Sequence, residues 1–89
     1  MPMLEITPIM LSKDYDGKYL YAEDTLQETG LLGRLLAEGY HYTVSISGSQ
    51  REVGTGVSRI QSFVLYDENW KNVTDQYKVV YNDGVLEVR

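Results

Sequence analysis

The hydrophobic pattern is clearest in the last third of the chain, where it predicts two β-strands. The segment YKVVYNDGVLEVR places alternating apolar and polar residues on both sides of Asp83-Gly84. Asp-Gly is a preferred two-residue hairpin turn because both of its positions tolerate positive φ. In that register Tyr81 faces Leu86 across the pair of strands. We therefore expect a β-hairpin with its turn at Asp83-Gly84.

Three further segments also have the pattern of strands. HYTVSIS alternates strictly, with Tyr42, Val44 and Ile46 on one side. SRIQSFVLYD reads as a strand that is partly covered on both faces, with Ile60 on the same face as Val64. LEITPIML begins as a strand, but proline cannot donate to a ladder, so Pro8 predicts an edge strand or a broken one. Together these segments indicate a mainly β protein.

The segment DTLQETGLLGRLLAEGYH carries several signals of a helix. Four leucines between positions 31 and 36 recur at helical spacing. Thr25 and Glu28 match the capping-box pattern of a helix start, and Gly39 could end a helix. A helix somewhere in this segment is therefore expected.

The extent of that helix stays open between two interpretations. Gly30 and Gly33 each cost about 1 kcal/mol relative to alanine in a helix interior. One interpretation is a continuous helix from about Leu26 to Ala37, as in a β-grasp fold. The other, which we prefer partly because of the resemblance described below, is a strand through Leu26 followed by a short helix near residues 32–38.

Composition narrows the classes of partner. The chain has 89 residues, enough for one domain with a single modest core. Its net charge is -5, and no basic patch exists to meet nucleic acid or anionic lipid, so neither partner is expected. Eight tyrosines against one phenylalanine favour half-buried sheet faces. The absence of cysteine excludes a disulfide scaffold, a thiol nucleophile and a thiolate metal site.

No targeting or membrane segment is recognisable in the chain. No apolar run approaches the roughly 20 residues that span a bilayer, so membrane insertion is not expected. The first residues lack the basic start of a signal peptide. If the native protein is exported, we expect this chain to be cut from a longer one.

Four motifs follow one another along the chain. They are Lys13 with Tyr15-Asp16-Gly17, Gly48-Ser49-Gln50 with Val53-Gly54, Asp67 with Val73-Thr74 and Tyr77, and Tyr81 with Gly84, Leu86 and Val88. In this order the chain resembles, from about residue 4 to 89, the repeat domains of bacterial cell-surface and adhesin proteins named for their Tyr-Asp-Gly motif, the YDG and MBG-type modules. It departs from them where the Asn69-Trp70-Lys71 run replaces a usual glycine, and in its longer leucine-rich segment.

The resemblance implies a fold and a function. The fold would be all-β, an immunoglobulin-like β-sandwich with one short helix. Residues 1–89 would be a single repeat module of a larger secreted or surface-attached bacterial adhesin, located outside the cell. The module would act as a spacer or presenting domain whose partners are neighbouring repeats of the same chain. Such modules carry no catalytic residues and no cofactor, so none is assigned here.

The Tyr-Asp-Gly motif itself is expected to be a turn. Asp16-Gly17 has the chemistry of a turn, Tyr15 can pack inward, and Lys13 and Lys18 can stay solvated. A cation loop using Asp14 and Asp16 is less favoured, because calcium takes six to eight oxygen ligands. Tyr15, Asp16 and Gly17, like Asp83 and Gly84, are therefore interpreted as structural residues, and no metal ligand is assigned.

The candidate ligand contacts are exposed aromatic residues. Trp70 lies in an acidic loop from Asp67 to Asp75, and tryptophan is enriched at binding hot spots. With Tyr40 and Tyr42 it could take a glycan or a host protein, which is the alternative to a spacer. That loop lacks the ligand spacing of an EF-hand. His41 is the only histidine and no strained nucleophile turn precedes a serine, so we do not expect an enzyme.

Overall fold

The computed structural model describes residues 1–89 and has a mainly β fold with one short helix, as the pattern predicts. Strand and bridge residues make up 48% of the chain, which decides the class. In chain order the elements are β1 (Met3–Ile6), β2 (Leu11–Lys13), β3 (Leu20–Tyr21), α1 (Gly30–Ala37), β4 (His41–Ser47), β5 (Ser49–Gln50), β6 (Gly54–Tyr66), a 3-10 turn (Thr74–Gln76), β7 (Lys78–Tyr81) and β8 (Gly84–Val88).

The strands form one four-stranded and two two-stranded sheets. Their orders are β2-β8-β6-β4, β1-β7 and β3-β5. β1 runs parallel to β7 and β2 runs parallel to β8, while the remaining pairs are antiparallel. The sheets are therefore mixed, and they curl into a half-barrel that is not clearly an immunoglobulin-like sandwich.

The 13-residue strand β6 changes partners along its length. Its first five residues pair with β8, and the stretch from Arg59 onward pairs with β4. A bulge shifts the register, because Ser45 opposes Ser62 whereas the next residue, Ile46, opposes Ile60. The extra residue reverses the alternation, so Ile60 faces the same side as the buried Phe63. The prediction that Ile60 shares a face with Val64 is wrong for this reason.

The break predicted at Pro8 is confirmed. β1 ends at Ile6 and β2 begins at Leu11, and each is an edge strand of its sheet. Pro8 makes only an isolated bridge with Leu26. The strand predicted through Leu26 is reduced to that bridge.

The hairpin predicted at Asp83-Gly84 is wrong. β7 and β8 lie in different sheets and pair with β1 and β2 instead of with each other. Tyr81 therefore opposes Ile6, and Leu86 opposes Leu11. The backbone N–H of Asn82 donates to the Ile6 carbonyl at 2.9 Å, which continues the β1 ladder across the presumed turn. Neither Asp83 nor Gly84 has the positive φ that the hairpin turn requires.

Helix α1 is short, in agreement with the preferred interpretation, but it covers Gly30–Ala37 instead of residues 32–38. The longer helix of the β-grasp alternative is wrong, since the residues from Leu26 to Thr29 are not helical. The capping-box prediction is also wrong, because the N-cap is Thr29. Gly39 ends the helix as expected, with φ 99 and a Schellman motif in which the Tyr40 N–H donates to the Leu35 carbonyl at 3.0 Å.

The core lies between α1, the β1-β7 sheet and the β4–β6 half of the larger sheet. Its nine buried residues are Leu4, Ile6, Leu26, Leu32, Leu35, Ile46, Phe63, Leu65 and Val73. Leu86 and Val88 are also fully buried, where β8 packs between β2 and β6. Burial of this apolar area is the main stabilising contribution in a chain without disulfides.

Candidate binding face on strands β4 and β6

A tight turn follows β6 and positions Trp70. The Asp67 carboxylate (Oδ1) accepts hydrogen bonds from the backbone N–H groups of Asn69 and Lys71 at 2.8 and 2.9 Å. The Asp67 N–H donates to the Lys71 carbonyl at 2.9 Å, which closes the turn. Trp70 has φ 62 and is the only non-glycine residue of the chain with positive φ. The turn thus holds a bulky residue in the left-handed region, a conformation that costs a non-glycine residue about 1–2 kcal/mol.

The indole of Trp70 folds back over the outer side of the sheet. It stacks on the His41 imidazole with ring centroids 3.9 Å apart and an interplanar angle of 0°. The Tyr66 ring is 5.7 Å away and tilted by 51°. Trp70 nevertheless remains 61% exposed. One indole face is therefore supported by protein while much of the ring stays open to solvent.

Tyr42 does not join Trp70, contrary to the prediction of one exposed aromatic group. It lies on the inner side of β4, half-buried, with its ring 6.2 Å from that of Phe63. Its hydroxyl accepts the Leu26 N–H at 3.2 Å. Tyr42 is therefore a structural residue that ties the segment before α1 to the sheet.

Tyr40 forms no ring stack with Trp70. It is half-buried and packs against the core just after α1. Partial burial raises the pKa of the Tyr40 hydroxyl above its usual value, and the nearby Tyr77 hydroxyl and Glu68 carboxylate add to the effect. Tyr40 therefore supports the end of the helix and offers no exposed ring next to Trp70.

The aromatic partners of Trp70 are His41 and Tyr66, which the sequence analysis does not group with it. They oppose each other across β4 and β6. The signal was present in the sequence, because strict alternation that turns Tyr42 inward must turn His41 outward. The position of the turn that brings Trp70 above them was not readable from the same pattern.

The outward side chains of β4 and of the paired part of β6 form a surface that we call the outer face. On β4 these are His41, Thr43, Ser45 and Ser47. On β6 they are Arg59, Ser62, Val64 and Tyr66, which oppose Ser47, Ser45, Thr43 and His41 respectively. Among these eight side chains there is no acid and no lysine, and Arg59 is the only arginine. Trp70 covers one end of the outer face, and Arg59 lies opposite Ser47 at the other.

The Tyr-Asp-Gly motif forms the expected turn at the opposite end of the molecule. Asp16 (Oδ1) accepts the Lys18 N–H and the Lys13 ammonium, both at 2.9 Å, and Gly17 has φ 77. The Lys13 hydrogen bond, followed by that of Lys18, lowers the pKa of the Asp16 carboxyl. Tyr15 is 49% exposed and does not pack inward as predicted.

A second exposed aromatic group lies near this turn and was also missed. Tyr19 and Tyr21 stack with ring centroids 5.7 Å apart. The Arg51 guanidinium lies 5.9 Å from the Tyr19 centroid, within cation–π range. Unlike Trp70, neither tyrosine has a strained backbone.

The fold contains no cluster of metal-ligating side chains. No set of three or more histidine, aspartate or glutamate side chains converges as a metal site would require. A pocket of about 200 Å³ opens beside the first turn of α1, lined by Met3, Glu5, Thr7, Thr29, Gly30, Leu31 and Asn82. It contains none of the candidate residues. No helix of the fold is long and apolar enough to cross a bilayer.

Comparisons of the chain with protein-family models, with curated proteins and with solved structures give no match.

Proposed function

We propose that this protein is a non-catalytic repeat module of a bacterial cell-surface or secreted adhesin-like protein, acting as a spacer and presenting domain. The observation that supports the proposal best is the placement of the two termini. The Lys78 N–H donates to the Pro2 carbonyl at 2.8 Å, which puts the start of the chain beside the start of β7. The Arg89 N–H donates to the Lys13 carbonyl at 2.9 Å, which puts the end of the chain beside the end of β2.

The parallel pairings separate these two points. β7 and β8 follow each other with only two residues between them, and β1 and β2 run alongside in the same direction. The chain therefore starts near one end of these consecutive strand pairs, β1-β7 and β2-β8, and finishes near the other end. The body is elongated, with extents of 43 × 20 × 19 Å. A preceding and a following module can attach at opposite ends without competing for one surface.

The fold adds support of a coarser kind. We interpret the curled mixed sheets as a variant of an immunoglobulin-like sandwich, in which the segment broken at Pro8 contributes its two halves to different sheets. Strands that switch sheets at such breaks make the corners of β-sandwiches. The Asp16-Gly17 turn, predicted from its residue chemistry, is formed and is compatible with a Tyr-Asp-Gly module. Under this proposal the module is extracellular, its partners are its neighbours, and nucleic acid and membrane insertion are not involved.

The proposal is tested with tandem proteins of one, two and three copies joined directly from Arg89 to Met1. Small-angle X-ray scattering should show the maximum dimension growing by roughly the 43 Å long axis for each added copy. Copies that fold back beside one another, with little growth in length, would contradict a spacer.

A binding module is the second candidate, and the conformation of Trp70 favours it. A strained and exposed tryptophan is more than spacing requires, because an unstrained glycine would close the same turn. The partner would be a glycan or a host protein. Loss of binding in Trp70→Gly, in a protein that still folds, would support this candidate.

A further inference from the structure

The outer face differs in charge from the rest of the molecule. Charged residues make up 24% of the chain, yet only Arg59, at the Ser47 end, occurs among the eight outward side chains of this face. The surface is instead lined by hydroxyl groups, from Thr43, Ser45, Ser47 and Ser62, and the three serines and the threonine are exposed. A hydroxyl both donates and accepts hydrogen bonds. Such a surface complements a neutral ligand that is itself rich in hydroxyl groups.

The shape of the outer face fits an extended ligand. β4 is seven residues long, so the surface runs for about 20 Å along the strand at roughly 3.3 Å per residue. The paired positions of β4 and β6 keep the hydroxyls of Ser45 and Ser62 side by side across the strands. There is no enclosing pocket here, since the one pocket of the fold lies beside α1. An open, straight surface of this length accommodates several sugar rings in a row.

Trp70 provides the apolar contact at one end. The C–H groups on one face of a pyranose ring pack against an indole, which presents a negative π face and a large apolar area. His41 supports the Trp70 ring from below at 3.9 Å, so the ring is held in place before a ligand arrives. The turn keeps Trp70 at φ 62, although glycine occupies the positive-φ position of the Asp16-Gly17 turn. Strain retained for one exposed side chain is a recognised mark of a functional position.

Other occupants fit the outer face less well. Nucleic acid or an anionic polymer would need basic residues, and only Arg59 at the far end supplies one. A protein interface needs an apolar central patch, whereas here serines occupy the centre. A peptide strand added to the free edge of β4 would need the Ile46 N–H, which already donates to the Asp24 carboxylate at 2.8 Å.

We propose that the outer face binds a linear neutral polysaccharide, with Trp70 stacking on one sugar ring and the hydroxyls of Thr43, Ser45 and Ser62 pairing with the rings that follow. This inference rests on the second candidate function, the binding module, and is independent of the spacer. The ligand is defined by its chemistry, an uncharged chain of sugar rings, and the linkage between the rings is left to the experiment.

The test is a two-dimensional amide NMR titration of the 89-residue protein. The probes are the β-1,4-glucan, α-1,4-glucan, β-1,4-xylan and β-1,4-N-acetylglucosamine hexasaccharides, with oligogalacturonate as the anionic counterpart. We expect at least one neutral probe to shift the amides of Trp70, Thr43, Ser45 and Ser62, and the anionic probe to shift none of them. No shift with any neutral probe at millimolar concentration overturns the proposal. Shifts centred on Tyr19 and Tyr21 overturn it as well.

Variants separate stacking from hydrogen bonding. Trp70→Gly removes the indole and relieves the strained backbone, so it keeps the fold and should weaken binding at least tenfold. Ser45→Ala should weaken binding a few-fold. Tyr21→Ala is the matched control, because it removes an equally exposed aromatic ring at the far end, and it should leave affinity unchanged. A Trp70→Gly protein with parental affinity overturns the proposal.

One further outcome identifies another occupant and is decisive. If the same amides shift with protein concentration in the absence of sugar, the outer face pairs with a second copy of this chain and the polysaccharide proposal fails. The tandem scattering experiment is repeated with Trp70→Gly copies. Unchanged growth in length would show that the attachment does not depend on Trp70, so failure of polysaccharide binding would then leave the spacer proposal standing, and the reverse also holds.

Discussion

The dipeptide Asp-Gly occurs twice in this chain, and its two copies lie in different kinds of structure. At Asp16-Gly17 the chain turns, Asp16 accepts the Lys18 N–H at 2.9 Å, and Gly17 has φ 77. A β-carbon added to Gly17 would meet nothing within 4 Å. Gly17 is therefore required only for the backbone conformation.

At Asp83-Gly84 the chain does not turn back, and Gly84 is buried without a positive φ. A β-carbon added there would collide with the Ser58 hydroxyl and would lie 2.6 Å from Cβ of Pro8. Gly84 is therefore required for space, since it lets β8 approach the break between β1 and β2.

The difference shows that one local signal can have two physical causes. Asp-Gly forms a turn where its backbone groups are not paired with another strand. Where other strands supply those hydrogen bonds, the same dipeptide lies in a close contact between strands. Trp70 completes the comparison, because its turn also needs positive φ and yet lacks glycine. Substitutions at these three positions should therefore have effects of different size and sign.

The largest effect is expected for Gly84→Ala. The added methyl group has no space, and overpacking of this kind costs about 2–3 kcal/mol. We expect the free energy of unfolding, measured by urea denaturation, to fall by that amount. Ser58→Ala in the same background should recover part of the loss, since Ser58 is buried and its hydroxyl has no hydrogen-bond partner. A Gly84→Ala protein that is no less stable than Gly17→Ala would contradict the close-contact explanation.

Features decided by neighbouring residues could be predicted from the sequence. The Asp16-Gly17 turn, the alternation of β4, the break at Pro8 and the helix end at Gly39 all follow from local conformational preferences, and all are present. In each case no distant part of the chain offers a competing partner for the same backbone groups.

Features decided by distant residues could not be predicted. The hairpin failed because β7 and β8 find partners near the start of the chain, about 75 residues away, and local turn propensity says nothing of such partners. The bulge opposite Ser45 likewise reverses the alternation of β6 in a way that its own sequence does not mark.

The candidate site was only half predictable for the same reason. Trp70 stands out in the sequence as the single tryptophan, but its neighbours depend on where the Asp67 turn sets the ring. His41 and Tyr66 oppose each other only because β4 and β6 pair in this register. Tyr40 and Tyr42 stand out in the sequence by residue type, whereas the alternation of β4 turns Tyr42 inward and Tyr40 packs against the core just before that strand.

The next effect in size is expected for Gly17→Ala. An L-residue at φ 77 costs about 1–2 kcal/mol, and no steric contact adds to that cost. Gly17→Asn should cost less, because asparagine tolerates the left-handed region. Urea denaturation of both variants checks the order, and equal losses for alanine and asparagine would show that something other than φ is responsible.

At Trp70 a substitution by glycine should relieve backbone strain, whereas a substitution of Gly17 introduces it. Trp70→Gly loses the stack on His41, worth about 0.5–1.5 kcal/mol, and gains relief from the left-handed backbone, so the stability should stay within about 1 kcal/mol of the parent. Trp70→Ala loses the stack and keeps the strain. We expect the glycine variant to be more stable than the alanine variant by roughly 1 kcal/mol in thermal or urea unfolding. The reverse order would mean that Trp70 is not strained.

The smallest effect is expected from the charge of Asp16. The Lys13 hydrogen bond and then the Lys18 N–H lower the pKa of this carboxyl below its ordinary value. The charged form is therefore favoured by folding, so its contribution to stability is present above about pH 4 and is lost as the pH falls through the lowered pKa. Asp16→Asn keeps an oxygen that accepts the Lys18 N–H but removes the charge. We expect the stability difference between parent and Asp16→Asn to be measurable at pH 7 and to shrink towards pH 2. Salt should also reduce this difference, because the Asp16–Lys13 ion pair lies at the surface. A difference that stays constant from pH 7 to pH 2 would show that the Asp16 turn depends on hydrogen-bond geometry and not on the charge of the carboxylate. Asp16 and Asp67 would then stabilise their turns in the same way, in spite of their different neighbours.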